Sequence, residues 1–344
     1  MSEFFNKLNG ISYPYVIAEV SQNHDGSLGQ AHAFIDAVAT TGCDAIKFQT
    51  HIADQESTVF EPFRVKFSYE DKTRYDYWKR MEFTDEQWSG LYDHAKEKGL
   101  DFLSSPFSIK ALELLDKIGV PAWKFGSGEV FNQSLLDRAI QTKKPIILST
   151  GLSTYDEIVK QVGYIKSKNG EVCVLLCVTA YPSQPEMINI LDIRKFLKMI
   201  DCPIGISDHS ATVYPSLSAV TLGATVIEVH VTMSSYMFGP DVKASVTLEQ
   251  LMEIVEGSRF ITKMLRSKNN YDVRDSERES LKKMFSKSLY YNRDIAKGNT
   301  ITEDDLIEKK PNDGIGSNMK KSLLGRVLNK GVSKDDLVRI EDFK

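Results

Sequence analysis

Nowhere in this sequence does an apolar run approach the roughly 18 residues that cross a bilayer as a helix. The opening MSEFFNKLNGISYPYVIAEV has no basic stretch followed by an apolar one, so it does not read as a secretory leader, and a cytoplasmic protein is expected. Cysteine is scarce. Cys43, Cys173, Cys177 and Cys202 contain no CxxC pair, which argues against a disulfide framework or a structural zinc site and leaves them as reduced core thiols. Basic charge is not in excess: 43 Lys and Arg face 47 Asp and Glu, a net charge of -4. That balance argues against sequence-independent nucleic-acid binding, yet allows a local cationic pocket. No GxGxxG follows the first run of strand character, so the usual dinucleotide fingerprint is missing.

What is present is an ordinary globular composition, 42% hydrophobic and 26% charged, in a chain of 344 residues, long enough for one large domain and a small one. From residue 15, short β-branched runs alternate with stretches of helical period. The runs predict strands at Tyr15–Val20, Asp44–Gln49, Asp101–Ser104, Ala122–Phe125, Pro145–Ser149, Val172–Cys177, Ile204–Ser207 and Thr225–His230. Between them, Leu28–Thr41, Thr84–Lys98, Ile109–Ile118, Thr154–Lys168 and Thr212–Leu222 carry apolar residues at helical spacing, most behind a Ser, Thr or Asp cap. Eight such units predict an α/β protein, a (β/α)8 TIM barrel over residues 1–265. A doubly wound open sheet is the rival, but it usually stops at about five to seven strands.

One connection is abnormally long. About thirty residues, including FRVKFSYEDKTRYDYWKRMEF, separate the second strand from the helix near Thr84, and loops of that length are commonly lids or binding loops. After a last barrel helix at Leu248–Met264, the polar stretch 266–283 is expected as a linker. Residues 284–344 contain two related pieces, RDIAKGNTITEDDL and RVLNKGVSKDDLV, each with a Lys-Gly turn and a Thr or Ser cap three residues before Asp. They predict a compact second domain.

In such barrels the reactive residues stand at the carboxyl ends of the strands. Those ends read Glu19, Gln22, Asn23 and His24; Lys47 and Gln49; Ser104 and Ser105; Lys124, Ser127 and Glu129; Ser149 and Thr150; Thr179 and Tyr181; Ser207, Asp208 and His209; Glu228 and His230. Any one of them is satisfied by a barrel-mouth hydrogen bond. Eight polar ends around one cavity are harder to bury without a polar ligand. His209 and His230 lie on adjacent strands over one edge of that cavity, where they either hold a first-row divalent cation or orient a carboxylate. Lys47 and Lys124, with the hydroxyls of Ser105, Ser127, Ser149 and Ser207, suit a substrate carrying a phosphate and a carboxylate. The alternatives are a Schiff-base lysine or simple pairing with Glu129.

The run IAEVSQNHDGSLGQAHAFIDAVATTGCDAIKFQT, followed in order by SSPFS, WKFGSGE, ILSTG, CVTAYPSQP, IGISDHS, LGATVIEVH and GPDVKAS, resembles the sialic acid synthase family, which includes legionaminate and pseudaminate synthases. The C-terminal part resembles that family's antifreeze-like SAF domain. The resemblance implies a transferase that condenses phosphoenolpyruvate with N-acetylmannosamine or a related (di)acetamido hexose, giving a nonulosonic acid and phosphate. It implies a divalent metal, manganese before magnesium or cobalt, on His209 and His230, and a domain-swapped homodimer. By the same resemblance Lys47, Ser105, Lys124, Ser127, Ser149 and Ser207 form the phosphoenolpyruvate pocket, with Thr179 beside them, and Glu19, Gln49, Glu129, Tyr181 and Asp241 meet the sugar. Glu19 and Glu129 are both candidates for proton transfer. Where the family's SAF domain carries an arginine, this chain has Lys310, which keeps the charge and loses the planar fork.

Overall fold

The computed structural model describes residues 2–10, 12–267 and 276–344, which divide into two compact units, Met1–Ser267 and Lys268–Lys344. In the first, α1 (Glu3–Gly10) precedes eight strands: β1 (Tyr15–Ser21), β2 (Ala45–Thr50), β3 (Asp101–Pro106), β4 (Trp123–Phe125), β5 (Ile146–Ser149), β6 (Val172–Cys177), β7 (Ile204–Asp208) and β8 (Val226–Thr232). All pair in parallel in the order β3-β2-β1-β8-β7-β6-β5-β4, and β3 and β4 stand side by side at the ends of that path, so the sheet is a nearly closed barrel. A two-residue strand, β9 (Val246–Thr247), adds to β8 off this path.

The outer helices are α2 (Leu28–Ala39), α5 (Asp85–Glu97), α6 (Ile109–Ile118), α7 (Gln133–Gln141), α8 (Tyr155–Ser167), α9 (Asp192–Met199), α10 (Tyr214–Thr221) and α11 (Leu248–Leu265). Local chemistry sets their starts: Thr84, Thr154 and Thr247 each close a capping box with Gln87, Glu157 and Gln250. The long connection between β2 and α5, expected as a lid, is more ordered than a loop. It holds α3 (Ala53–Glu56) and α4 (Arg74–Met81), and Tyr77, Trp78 and Met81 of α4 form a small core with Phe63 and Phe67. Arg80 clasps it down, bonding Asp71 and the Asp25 carboxylate and carbonyl.

Strand alternation puts every second side chain inside the barrel. Toward its amino end this interior is apolar, with Tyr15, Ile17, Leu103, Ile147, Leu175 and Val226 packed together. Phe4, Phe5 and Leu8 of α1 join the same cluster, so a helix absent from the sequence reading stops the bottom of the barrel. Two residues further along the strands the interior turns polar.

In the second unit, α12 (Ser276–Phe285) occupies part of the stretch expected as a linker, while residues 268–275 of that stretch lie outside the described residues. β10 (Ser288–Tyr291) and β11 (Leu306–Lys309) form an antiparallel pair over a core of Leu289, Tyr291, Leu306, Leu323, Leu328 and Val338. α13 (Lys320–Leu323) is a single turn. The two related pieces bridge each other at Ile295 with Val332 and Thr300 with Val327. Their caps close short turns and not the helices expected: Thr302 and Asp305 box a 3-10 turn, and Ser333 N–H donates to Asp336 at 2.7 Å.

Candidate active site

The register of the strands stacks a charged layer directly on the apolar one. Glu19 is the neighbour of both Lys47 and His230, and Ser207 of Glu228. Lys47 and Lys124 are both almost fully buried, with the Glu228 carboxylate between them, 3.8 Å from Lys47 and 3.4 Å from Lys124. Lys47 also pairs with Glu19 and donates to Ser105 at 3.3 Å, while Lys124 donates to Ser149 at 2.8 Å. Ser207 donates to Glu228 at 3.0 Å. Burial drives the Lys47 ammonium from the ordinary 10.5 down to about 7; Glu228 opposes and Lys124 adds to the effect. Burial acts to raise the Glu228 carboxyl, but Lys124 and Lys47 outweigh it and hold the group below its usual value. Two cations beside the buried hydroxyls of Ser105, Ser149 and Ser207 make a receptor for a doubly anionic small molecule.

Above this layer lies a cavity of about 570 Å³, lined by Gln49, Ser127, Glu129, Thr179, Tyr181, His230 and Asp241 among others. Gln49 donates to Glu19 at 3.2 Å and Ser21 at 3.0 Å, and Ser21 donates to Asp241 at 2.6 Å. A bulge in β1 between Glu19 and Ser21 turns both oxygens toward that amide. Tyr181 lies 4.3 Å from the His209 ring and 5.8 Å from His230, and the two imidazoles are 5.0 Å apart, near perpendicular. His209 Nδ1 donates to the Val178 carbonyl at 2.9 Å, which leaves Nε2 with its lone pair; His230 Nδ1 is buried without a hydrogen-bond partner. Burial works against charge on His209, yet the Cys177 thiol, the Val178 carbonyl and Glu228 hold its pKa above the ordinary value, whereas burial followed by His209, Lys47 and Lys124 pushes His230 far below it.

The NeuB family pattern matches residues 34–270 and the SAF domain pattern residues 286–344. The chain belongs to the NeuB family. Over 94% of its length it is 31% identical to the N,N'-diacetyllegionaminic acid synthase of Campylobacter jejuni, covering 98% of that protein. It is 29% identical to the pseudaminic acid synthase of Helicobacter pylori over 96% of this chain and 98% of that one. The crystal structure of the N-acetylneuraminic acid (sialic acid) synthetase from Leptospira borgpetersenii, in complex with citrate, aligns with a TM-score of 0.69 at 30% identity, over 78% of this chain and 90% of that one. As a NeuB-family member the chain is an enzyme, a transferase of the nonulosonate synthase type.

In this NeuB-family barrel the residues singled out in the sequence fall into two groups. Glu19, Lys47, Ser105, Lys124, Ser149 and Ser207 share the buried layer, while Gln49, Ser127, Glu129, Thr179, Tyr181, Asp241 and His230 line the cavity. Of the two proton-transfer candidates, Glu19 is buried against Lys47, and Glu129 is half-buried on the wall, accepting from Asn132 at 2.8 Å. Lys310 belongs to the small unit, its ammonium 5.3 Å from the Phe285 ring. Among the described residues no group of three or more His, Cys, Asp and Glu is arranged to hold a metal; the site offers a cation two imidazoles.

The sequence reading missed one relation and two residues of the site. Glu228 stood at a predicted strand end, but its place between two lysines appears only when β2, β4 and β8 are brought together. Gly151 ends the ILSTG run. A Cβ there would lie 2.3 Å from Thr179 Oγ1 and 2.8 Å from Ser127 Oγ, so only glycine lets those two hydroxyls converge. Arg64, in the irregular part of the long connection, sets its guanidinium 4.2 Å from the Tyr181 ring centroid and 3.7 Å from Asp241. No periodicity or motif marks it.

Proposed function

We propose that this NeuB-family chain condenses phosphoenolpyruvate with an N-acetylated hexose, N-acetylmannosamine or a related diacetamido sugar, to give N-acetylneuraminate, legionaminate or pseudaminate plus phosphate. The observation that carries the reading is the pair of buried lysines, Lys47 and Lys124, beneath a sugar-sized polar cavity. Their charges, with the hydroxyls of Ser105, Ser149 and Ser207, suit the phosphate and carboxylate of phosphoenolpyruvate, and Ser127 and Thr179 converge over Gly151 to meet it from the wall. Glu129, Tyr181 and Asp241 would hold the open-chain sugar so that its aldehyde carbon faces C3 of phosphoenolpyruvate. Bond formation between those carbons leaves positive charge at C2. The same step opens the aldehyde C=O bond to an alkoxide. Water adds at C2, and Glu19 takes its proton and returns one to that alkoxide. The tetrahedral intermediate then expels phosphate as its C2 hydroxyl proton leaves with it.

The residues present fit a divalent cation. His209 is held in one tautomer with its outer nitrogen available, and His230 is driven toward the neutral form that ligates. We assign the ion, manganese before magnesium or cobalt, to His209 and His230; when bound it supplies Lewis-acid polarisation of the aldehyde oxygen. Lys124 bonds Ser149 and the Phe125 carbonyl and pairs with Glu228, a setting for a fixed cation and not for an imine nitrogen. The proposal extends to a domain-swapped homodimer in the cytoplasm, with Lys310 of each SAF domain serving the partner's sugar.

The deciding experiment measures phosphate release from phosphoenolpyruvate with N-acetylmannosamine, its 4-acetamido-6-deoxy analogue, the altrose-configured analogue and mannose, and identifies the product by mass spectrometry. Release with an acetamido sugar and a product mass equal to sugar plus phosphoenolpyruvate plus water minus phosphoric acid is expected. No release with any of them would sink the reading.

A further inference from the structure

One buried ring in the cavity wall is used by none of the steps above. His51 follows β2 and is 4% exposed. Its imidazole is stacked between two aromatic rings, Trp78 of α4 at 3.9 Å and 16° and Phe107 at 4.3 Å and 13°. Nδ1 meets Glu56 Oε1 at 2.5 Å, and Nε2 meets Gln49 Oε1 at 3.2 Å. Both contacts are to oxygen atoms.

The direction of the neighbouring bonds is set from the far side of the Gln49 amide. Gln49 Oε1 also accepts from Gln22 Nε2 at 3.1 Å, so two donors converge on the carbonyl oxygen. Its amide nitrogen lies on the opposite side, where it donates to Glu19 Oε1 and Ser21 Oγ. Ser21 has its own hydrogen engaged with Asp241, so its oxygen must accept from Gln49. Turning the amide over would set its carbonyl oxygen against the Glu19 carboxylate and the Ser21 oxygen, two repulsive contacts in place of two bonds, so the carbonyl oxygen faces His51 Nε2, which donates to it.

We propose that His51 is a positioning residue for the condensation: clamped between Trp78 and Phe107, it holds the Gln49 amide so that its N–H groups grip Glu19 and, through Ser21, Asp241. The inference rests on the condensation reading, because it gives those two carboxylates their work. The aromatic clamp makes the orientation rigid, and Glu56 and Trp78 tie it to the long connection between β2 and α5, so the segment that walls the cavity also sets the angle of the buried carboxylate.

The test separates the donor from the stack. His51→Phe keeps a flat ring between Trp78 and Phe107 and removes both hydrogen bonds. Its kcat is expected to fall by about tenfold to a hundredfold, the range found when the partner that orients a direct contact is removed, with KM for phosphoenolpyruvate within about twofold of wild type. His51→Gln keeps a donor toward Gln49 and gives up the stack, so a lower melting temperature with kcat within about threefold of wild type is expected. Unchanged kcat in His51→Phe, or a tenfold loss in folded His51→Gln, overturns the assignment. Should wild type release no phosphate with any acceptor, the condensation reading fails by itself, and a crystal structure of His51→Phe decides the rest. A Gln49 amide swung off Glu19 supports the clamp; one still bonded to Glu19 and Ser21 refutes it.

Discussion

The Lys124 ammonium lies 3.4 Å from the Glu228 carboxylate inside the barrel, and the same carboxylate faces Lys47 from 3.8 Å. Glu228 thus faces both buried lysines, while Glu19 pairs with Lys47 alone. Glu228→Gln leaves Lys124 without a carboxylate and Lys47 with Glu19 alone. Breaking a buried pair of this kind costs about 3 to 5 kcal/mol, so a melting temperature well below wild type is expected without ligand. Saturating phosphoenolpyruvate should raise that temperature more in the variant than in wild type. An equal ligand shift in the two proteins would show that Glu228 and phosphoenolpyruvate do not share the lysines.

Phosphoenolpyruvate binding should draw a proton from solution. With its pKa lowered to about 7, Lys47 is partly neutral in the free protein above that pH, and an anion placed beside it restores the charge. Affinity should therefore fall as pH rises from about 7 toward the ordinary lysine value. Calorimetry at pH 8 in buffers of different ionisation enthalpy reads the uptake directly. Proton release on binding, or affinity that climbs with pH, contradicts this placement.

Loss of either imidazole is expected to abolish turnover with the fold retained. His209→Ala or His230→Ala should lower kcat by at least about a thousandfold, since Lewis-acid stabilisation supplies several kcal/mol, while circular dichroism stays unchanged. EDTA should silence the wild type and manganese restore it. Full activity in excess chelator removes the metal from the site.

Arg64 should be felt by the sugar and not by phosphoenolpyruvate. Its guanidinium sits on Tyr181 and beside Asp241 in the cavity wall. Arg64→Ala is expected to raise KM for the acceptor by about tenfold, the worth of one charge-assisted hydrogen bond, and to leave KM for phosphoenolpyruvate within about twofold. Parallel increases in both constants would mean that the residue only shapes the wall.

The proposed exchange of SAF domains predicts complementation. Mixtures of inactive His209→Ala chains and inactive Lys310→Ala chains, under conditions where subunits exchange, should regain part of the wild-type rate, because one mixed arrangement joins an intact barrel to an intact SAF domain. A mixture that stays inactive, or an active monomer by sedimentation, rules out the arrangement in trans.

The number of strands, their ends and their inward-facing residues were legible in the sequence, because a buried parallel strand is a short β-branched run and its carboxyl end abruptly becomes polar. That is why the predicted ends at Lys47, Lys124, Ser207 and His230 fall on the layer and cavity observed. Capping pairs such as Thr84 with Gln87 are local and were equally readable. The SAF caps misled, since the same Thr-to-Asp spacing closes a 3-10 turn as well as a helix. Only the closed barrel brings Glu228 between lysines from β2 and β4, packs Phe4 and Phe5 under the apolar layer, and sets His51 between rings from α4 and the end of β3. These relations join residues dozens of positions apart, and no local period records them. The sequence determined which side chains each strand delivers to the mouth of the barrel; the tertiary structure decided which of them neutralise, orient or wall in one another, because those are matters of distance through space.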